Sequence, residues 1–196
     1  MINYLKTKEY VDKGRLILLG HSQGGRVALE VAKNTSGLYA LGLLSAGREG
    51  RFAAFITKEL NDAKAGKQTM EKAYENIEGL YDQWKEICSI DENDEDLTKL
   101  QRDPAKTWKS FSYPSWTDLI HITIPVYIAY GTADHGAAGN ALMPVYFELT
   151  GKKNYKMKPY INRGHNFEKI INETPDFNDM KWQEVMDDFI QWVEAL

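Results

Sequence analysis

The segment Gly20-His21-Ser22-Gln23-Gly24-Gly25 constrains this chain more than any other, because of what lies on either side of it. Before it runs the apolar stretch Leu16-Ile17-Leu18-Leu19, and after it Arg26-Val27-Ala28-Leu29-Glu30-Val31-Ala32-Lys33. An apolar run of that length reads as a buried strand. In the segment that follows, Val27, Ala28, Val31 and Ala32 share one helical face, opposite Arg26, Glu30 and Lys33. A strand over 15–20, a glycine-rich turn and a helix put Ser22 on a sharp bend. The flanking glycines leave room where a Cβ would press on the backbone. The bend lifts the Ser22 hydroxyl out of the sheet, and the helix aims its first N–H groups at whatever binds there.

Further strands are expected at 38–45, at 126–130 after Pro125, and at 155–161, where Pro159 suits an edge position. Helices are expected over 2–12 and 141–150, the latter with Leu142, Tyr146 and Leu149 on one side. The C-terminal segment carries Trp182, Val185, Met186, Phe189 and Val193 at helical spacing. Strands alternating with helices predict an α/β fold built on a mainly parallel sheet of about four strands with flanking helices.

The 48–118 stretch has a different texture. Phe52, Phe55, Ile56, Leu60 and Ala63 form one stripe, Gly66 interrupts, and Met70, Tyr74, Ile77, Tyr81 and Trp84 form a second, which reads as an αα-hairpin. The acidic run Asp91-Glu92-Asn93-Asp94-Glu95-Asp96 lacks the glycine and spacing of a calcium loop and reads as solvated. An insertion between two strands of such a sheet lies above their carboxyl ends, where ligands bind, so 48–118 is expected to be a helical cap on a single domain spanning 1–196.

Composition narrows the partners. The formal net charge of −4, with no basic stripe, argues against nucleic acid. Nothing approaches the roughly 20 apolar residues of a membrane span, and the first residues do not resemble a signal peptide, so the expectation is a cytoplasmic protein. Cys88 is the single cysteine, which excludes an internal disulfide; it is expected to be a small buried hydrophobe, and no metal site is expected.

A nucleophilic serine needs a base within reach and a group to hold that base in the right tautomer. His165, in Asn162-Arg163-Gly164-His165-Asn166-Phe167, follows the last strand and precedes the last helix, and is the expected base. His21 is expected to point across the strand from Ser22, as a structural residue or at the pocket edge, and His121 and His135 to lie at the surface. Asp134 closes Tyr130-Gly131-Thr132-Ala133-Asp134 directly after a strand and is the expected orienting acid, ahead of Asp118, Glu168 and Asp176.

With these residues in place the chain resembles the α/β-hydrolase superfamily. The bend at Ser22, Ile124-Pro125-Val126 leading to Gly131-Thr132-Ala133-Asp134, and Gly164-His165 carry the likeness, and Ser22, Asp134 and His165 follow its chain order. Phe111-Ser112-Tyr113-Pro114 resembles more loosely the dienelactone-hydrolase and serine-aminopeptidase type. The resemblance implies a serine hydrolase acting on a small-molecule ester, thioester or peptide substrate, with no cofactor and with the Gln23 N–H in an oxyanion hole. The family ordinarily places more strands ahead of the bend. Their shortage here implies the C-terminal part of an α/β-hydrolase fold, with an open strand edge covered by a second copy or by a missing N-terminal segment. A lost leader on that segment would change the compartment. The same shortage leaves a non-catalytic or inactive binding module as the alternative.

Overall fold

The computed structural model describes residues 2–94 and 103–196. Two compact units make up the chain: Met1–Ala46 with Trp116–Leu196, and Gly47–Ser115.

In the first unit, α1 (Ile2–Leu5) leads to β1 (Ile17–His21), α2 (Gln23–Lys33) and β2 (Ala40–Leu44). Within the second unit lie α3 (Arg51–Lys64), α4 (Met70–Ser89) and α5 (Ala105–Ser112). The first unit then resumes with α6 (Trp116–Leu119), β3 (Val126–Gly131), a 3₁₀ segment (His135–Leu142), α7 (Met143–Thr150) and β4 (Tyr155–Tyr160). It closes with β5 (Glu168–Ile171), β6 (Thr174–Met180) and α8 (Trp182–Glu194).

The main sheet has the order β1-β2-β3-β4 with every pair parallel, Ile17 facing Ala40, Leu41 facing Val126 and Val126 facing Tyr155. Every residue of β2 and β3 is buried, whereas β1 and β4 are mixed, as expected of central and edge strands in a sheet covered on both faces. Alternation along the strands divides the core in two. Leu41, Leu43, Val126 and Ile128 pack with Ala28 and Leu29 of α2, Leu119 of α6 and Phe147 of α7. Leu44, Tyr127 and Ala129 pack on the other face with Val185, Phe189 and Val193 of α8. Gly42 belongs to that second face, and a Cβ there would stand 2.7 Å from the Phe189 ring.

The second unit has its own apolar cluster of Phe52, Ile87, Ala105 and Trp108, flanked by Phe55, Leu80, Trp84 and Ile90. Gly66 turns the chain between α3 and α4 at φ 76°, and the Thr69 side chain caps α4 by accepting from the Lys72 N–H.

Several expectations need correction. Helix α1 ends at Leu5 instead of running to 12. The seam of α4 is Ala73, Ile77 and Ile87, so Met70, Tyr74 and Tyr81 lie outward. In α7 the buried pair is Met143 and Phe147, while Leu142 and Leu149 are exposed. Helix α2 seats Gly25, Ala28 and Leu29, leaving Val27 exposed. Cys88 is exposed, one position past the buried Ile87. In α2 and at the start of α7 an exposed apolar residue lies one position away from the packed one, Val27 beside Ala28 and Leu142 beside Met143. Of the acidic run, Asp91, Glu92 and Asn93 are exposed, and Glu95 and Asp96 lie outside the described residues. Among the described residues no group of three His, Cys, Asp or Glu side chains is placed to hold a metal ion. No helix there is long and apolar enough to cross a membrane.

Candidate active site

Ser22 joins β1 to α2 in a backbone conformation that L-residues rarely adopt, φ 54° and ψ −124°. Its N–H donates to the Leu44 carbonyl at 2.8 Å, so pairing with β2 continues into the bend, and its carbonyl accepts from Gly25 at 3.1 Å. Two glycines make the bend sterically feasible. A Cβ on Gly20 would lie 2.2 Å from the Gly24 carbonyl oxygen, and one on Gly25 would lie 2.5 Å from the Ala46 Cβ. Gly24 has open space around its Cβ position, so the expectation that a Cβ at either flanking glycine would press on the backbone holds for Gly20 and not for Gly24.

The structure brings Ser22, His165 and Asp134 together. His165 Nε2 lies 2.7 Å from Ser22 Oγ, and His165 Nδ1 lies 2.7 Å from Asp134 Oδ2. A carboxylate only accepts, so Nδ1 carries the proton toward Asp134 and Nε2 is left to accept from the Ser22 hydroxyl. Asp134 is buried at 6% exposure, and its other oxygen accepts from the Gly136 N–H at 2.9 Å at the head of the 3₁₀ segment. The hydrogen bond to Asp134 holds the His165 pKa above its ordinary value, against a smaller opposing effect of desolvation.

The loops that carry the acid and the base are stitched together. Ala133 N–H donates to the Arg163 carbonyl at 3.0 Å, and Asn162 N–H to Thr132 Oγ1 at 2.9 Å. Gly131 permits this approach, since a Cβ there would lie 2.1 Å from the Arg163 oxygen. Phe167, fully buried at φ 59°, anchors the base loop against Tyr160 and Trp182 with ring centroids 5.3 and 5.0 Å away. Arg163 ties the loop to Asp179 of β6 at 2.8 Å.

Gln23 is the first residue of α2, so its N–H belongs to the first turn, which has no acceptor within the helix. His121 and His135 are exposed, and Asp118 pairs with Lys33 at 3.0 Å. Asp176 lies on β6, where it accepts from the Asn178 N–H.

Two further residues support the site through contacts that sequence does not specify: His21, expected as structural or at the pocket edge, and Glu168, expected only as a rival to Asp134. His21 Nε2 lies 3.0 Å from the His165 carbonyl oxygen, and its ring packs between those of His165 and Trp182. Glu168, buried at 6% exposure, accepts from the Asn166 N–H at 2.7 Å. The β5–β6 hairpin that begins at Glu168 was also unforeseen. Its two-residue turn, Asn172-Glu173, has both φ values positive, a primed turn whose favoured Asn-Gly signal is only half present.

Residues 2–176 match the model of the family described as the alpha/beta hydrolase family. None of the curated proteins matches the chain. Among solved structures, Est1E from Butyrivibrio proteoclasticus is 22% identical, with 100% of this chain and 67% of that one covered at a TM-score of 0.52. The monoacylglycerol lipase of Paleococcus ferrophilus is 15% identical, with 99% and 71% covered at 0.54. The acetyl xylan esterase of Paenibacillus sp. R4 is 14% identical, with 99% and 49% covered at 0.53, so this chain spans about half the length of that one. At these identities the likeness is one of fold. With a parallel α/β sheet and a family match that takes in most of its length, the chain belongs to the alpha/beta hydrolase family.

Proposed function

We propose that this chain is a serine hydrolase that cleaves a carboxylic ester, thioester or amide through an acyl-enzyme. The observation that carries the proposal is the unbroken relay from Ser22 Oγ through the His165 ring to the buried Asp134, with 2.7 Å at each link. His165 Nε2 takes the Ser22 proton as Oγ attacks the carbonyl carbon, and Asp134 stabilises the imidazolium that forms. The Gln23 N–H, at the positive end of α2, faces the negative charge that develops on the carbonyl oxygen. His165 then returns the proton to the leaving group, and a water activated by the same ring releases the acyl group from Ser22. These steps require no cofactor. Esters are the first substrates to test, since the solved neighbours named above include an esterase and a lipase. The helical unit Gly47–Ser115 enters the chain directly after the strand beside β1, and we assign it the cap role expected from sequence, governing selectivity.

The test is labelling with a fluorophosphonate probe beside a Ser22→Ala control, together with turnover of p-nitrophenyl esters of graded acyl length. Labelling of the parent alone supports the proposal. A folded parent that takes no label overturns it.

A second reading rests on β1, which is an edge of the sheet although it leads directly into Ser22. Apolar Leu19 and Val27 are exposed along that side, a surface that invites strand pairing. A non-catalytic module that binds a second copy or a covering strand there is the alternative. A folded, unlabelled protein that self-associates through Leu19 would select it.

A further inference from the structure

The short turn around His165 is held on three consecutive residues. Gly164 N–H donates to the Glu168 carbonyl at 2.9 Å, the His165 carbonyl meets His21 Nε2 at 3.0 Å, and Asn166 N–H donates to Glu168 Oε2 at 2.7 Å. Glu168 thus grips both chain neighbours of His165, one with its backbone and the other with its side chain. Gly164 lets the carboxylate come close, since a Cβ there would lie 2.4 Å from Glu168 Oε1. A backbone N–H can be satisfied by a neutral amide acceptor, and a buried carboxylate is a costly choice for that task alone.

We propose that Glu168 is a positioning residue for the reaction, clamping the turn that presents His165 while its negative charge favours the imidazolium formed as Ser22 attacks. The inference rests on the serine-hydrolase reading above. Among the described residues, the charged and titratable groups around the ring come from three elements. Asp134 faces it from the loop after β3, His21 from the end of β1 and Glu168 from the start of β5. From α8, Trp182 reaches the cluster through the His21 ring. Arg163 is engaged with Asp179, and Lys181, whose N–H holds the Phe167 carbonyl, is paired with Glu184. Asp134 is the dominant influence on His165, and Glu168 adds to it in the same direction. Glu168 makes no contact with the reacting atoms; it acts through His165.

The decisive variant is Glu168→Gln, which keeps an oxygen for the Asn166 N–H and removes the charge. It is expected to lower kcat/KM about three- to tenfold, with the acidic limb of the pH profile displaced to lower pH. The His165 imidazole NMR titration, followed in a Ser22→Ala background, is expected to move the same way. Glu168→Asp retains the charge and is expected to keep the parent titration even where its shorter reach slows turnover. It decides the matter if the glutamine variant does not fold.

A folded Glu168→Gln protein with parent titration and parent limb overturns the proposal, as does a Glu168→Asp protein whose titration falls to a lower pH. The two readings fail separately. An unlabelled parent refutes the hydrolase assignment, whereas the NMR titration still decides the coupling of Glu168 to His165.

Discussion

His21 Nε2 lies 3.0 Å from the carbonyl oxygen of His165, so the residue before the proposed nucleophile holds the backbone of the proposed base. The contact links the end of β1 to the loop after β4 across 144 residues of sequence. His21→Ala is expected to leave the fold intact and to lower kcat about tenfold through a loosened His165 ring, the effect of a lost hydrogen bond of roughly 1–1.5 kcal/mol. Gln, which can still reach the carbonyl with its amide N–H, is expected to recover part of the loss. Steady-state kinetics beside circular dichroism checks both; equal rates for His21→Ala and the parent would show the contact to be idle.

Asp134→Asn is expected to lower kcat by about 10³–10⁴-fold, since the neutral amide favours the wrong imidazole tautomer. The direction with pH is fixed by the raised His165 pKa. Catalysis needs the neutral ring, so activity in the parent rises through a value above the usual 6.5 or so. Without the Asp134 charge that rise is expected at lower pH. Stability runs the other way. The contribution of His165 is complete below its unfolded pKa and disappears as pH climbs through the raised folded one. Residual activity against pH, and urea midpoints across the same range, test the two directions.

The glycines of the bend separate into tight and free positions. Gly20→Ala and Gly25→Ala are each expected to destabilise the protein by about 1–3 kcal/mol, because their Cβ atoms meet backbone and the Ala46 methyl. Gly24→Ala is expected to stay within about 0.5 kcal/mol of the parent. Thermal melts of the three variants decide it, and a Gly24→Ala protein as damaged as Gly20→Ala would refute the steric account.

Lys152, buried at 6% exposure, donates to the Ile122 carbonyl and to Asn154 Oδ1, and burial pushes its pKa down to about 8. Between that value and the ordinary lysine value near 10.5 the unfolded chain binds more protons than the folded one. This group therefore adds stability as pH rises through that window, and its burial penalty is full below it. Lys152→Met is expected to flatten that part of the profile. Urea midpoints of parent and variant compared at several pH values between 7.5 and 10.5 or so test this.

The sheet and the three residues of the relay were legible because each is written locally. Leu41–Leu44 and Val126–Tyr130 are unbroken apolar runs, and Ser22, Asp134 and His165 each follow a strand end. The supports of the site were not. Glu168 reads from sequence only as a rival acid to Asp134 until the turn from Gly164 folds back on it, and His21 faces Trp182 only because α8 returns to that face of the sheet. The β5–β6 hairpin is polar along most of its length and gave no periodic signal. Helix faces slipped where two stripes competed, as Leu142 and Leu149 did with Met143 and Phe147, because only tertiary packing chooses between them.

The neighbouring strands β2 and β3 are separated in the chain by the whole of Gly47–Ser115. Their pairing is therefore among the least local events in folding, whereas the α3–α4 and β5–β6 hairpins close over a few residues each. Loop entropy grows only with the logarithm of length, about 0.6 kcal/mol per doubling, so the long excursion weighs far more on the speed of sheet assembly than on its final stability. Ser22 follows β1 and Asp134 follows β3, on opposite sides of that long closure, so the proposed relay is expected to assemble late in refolding.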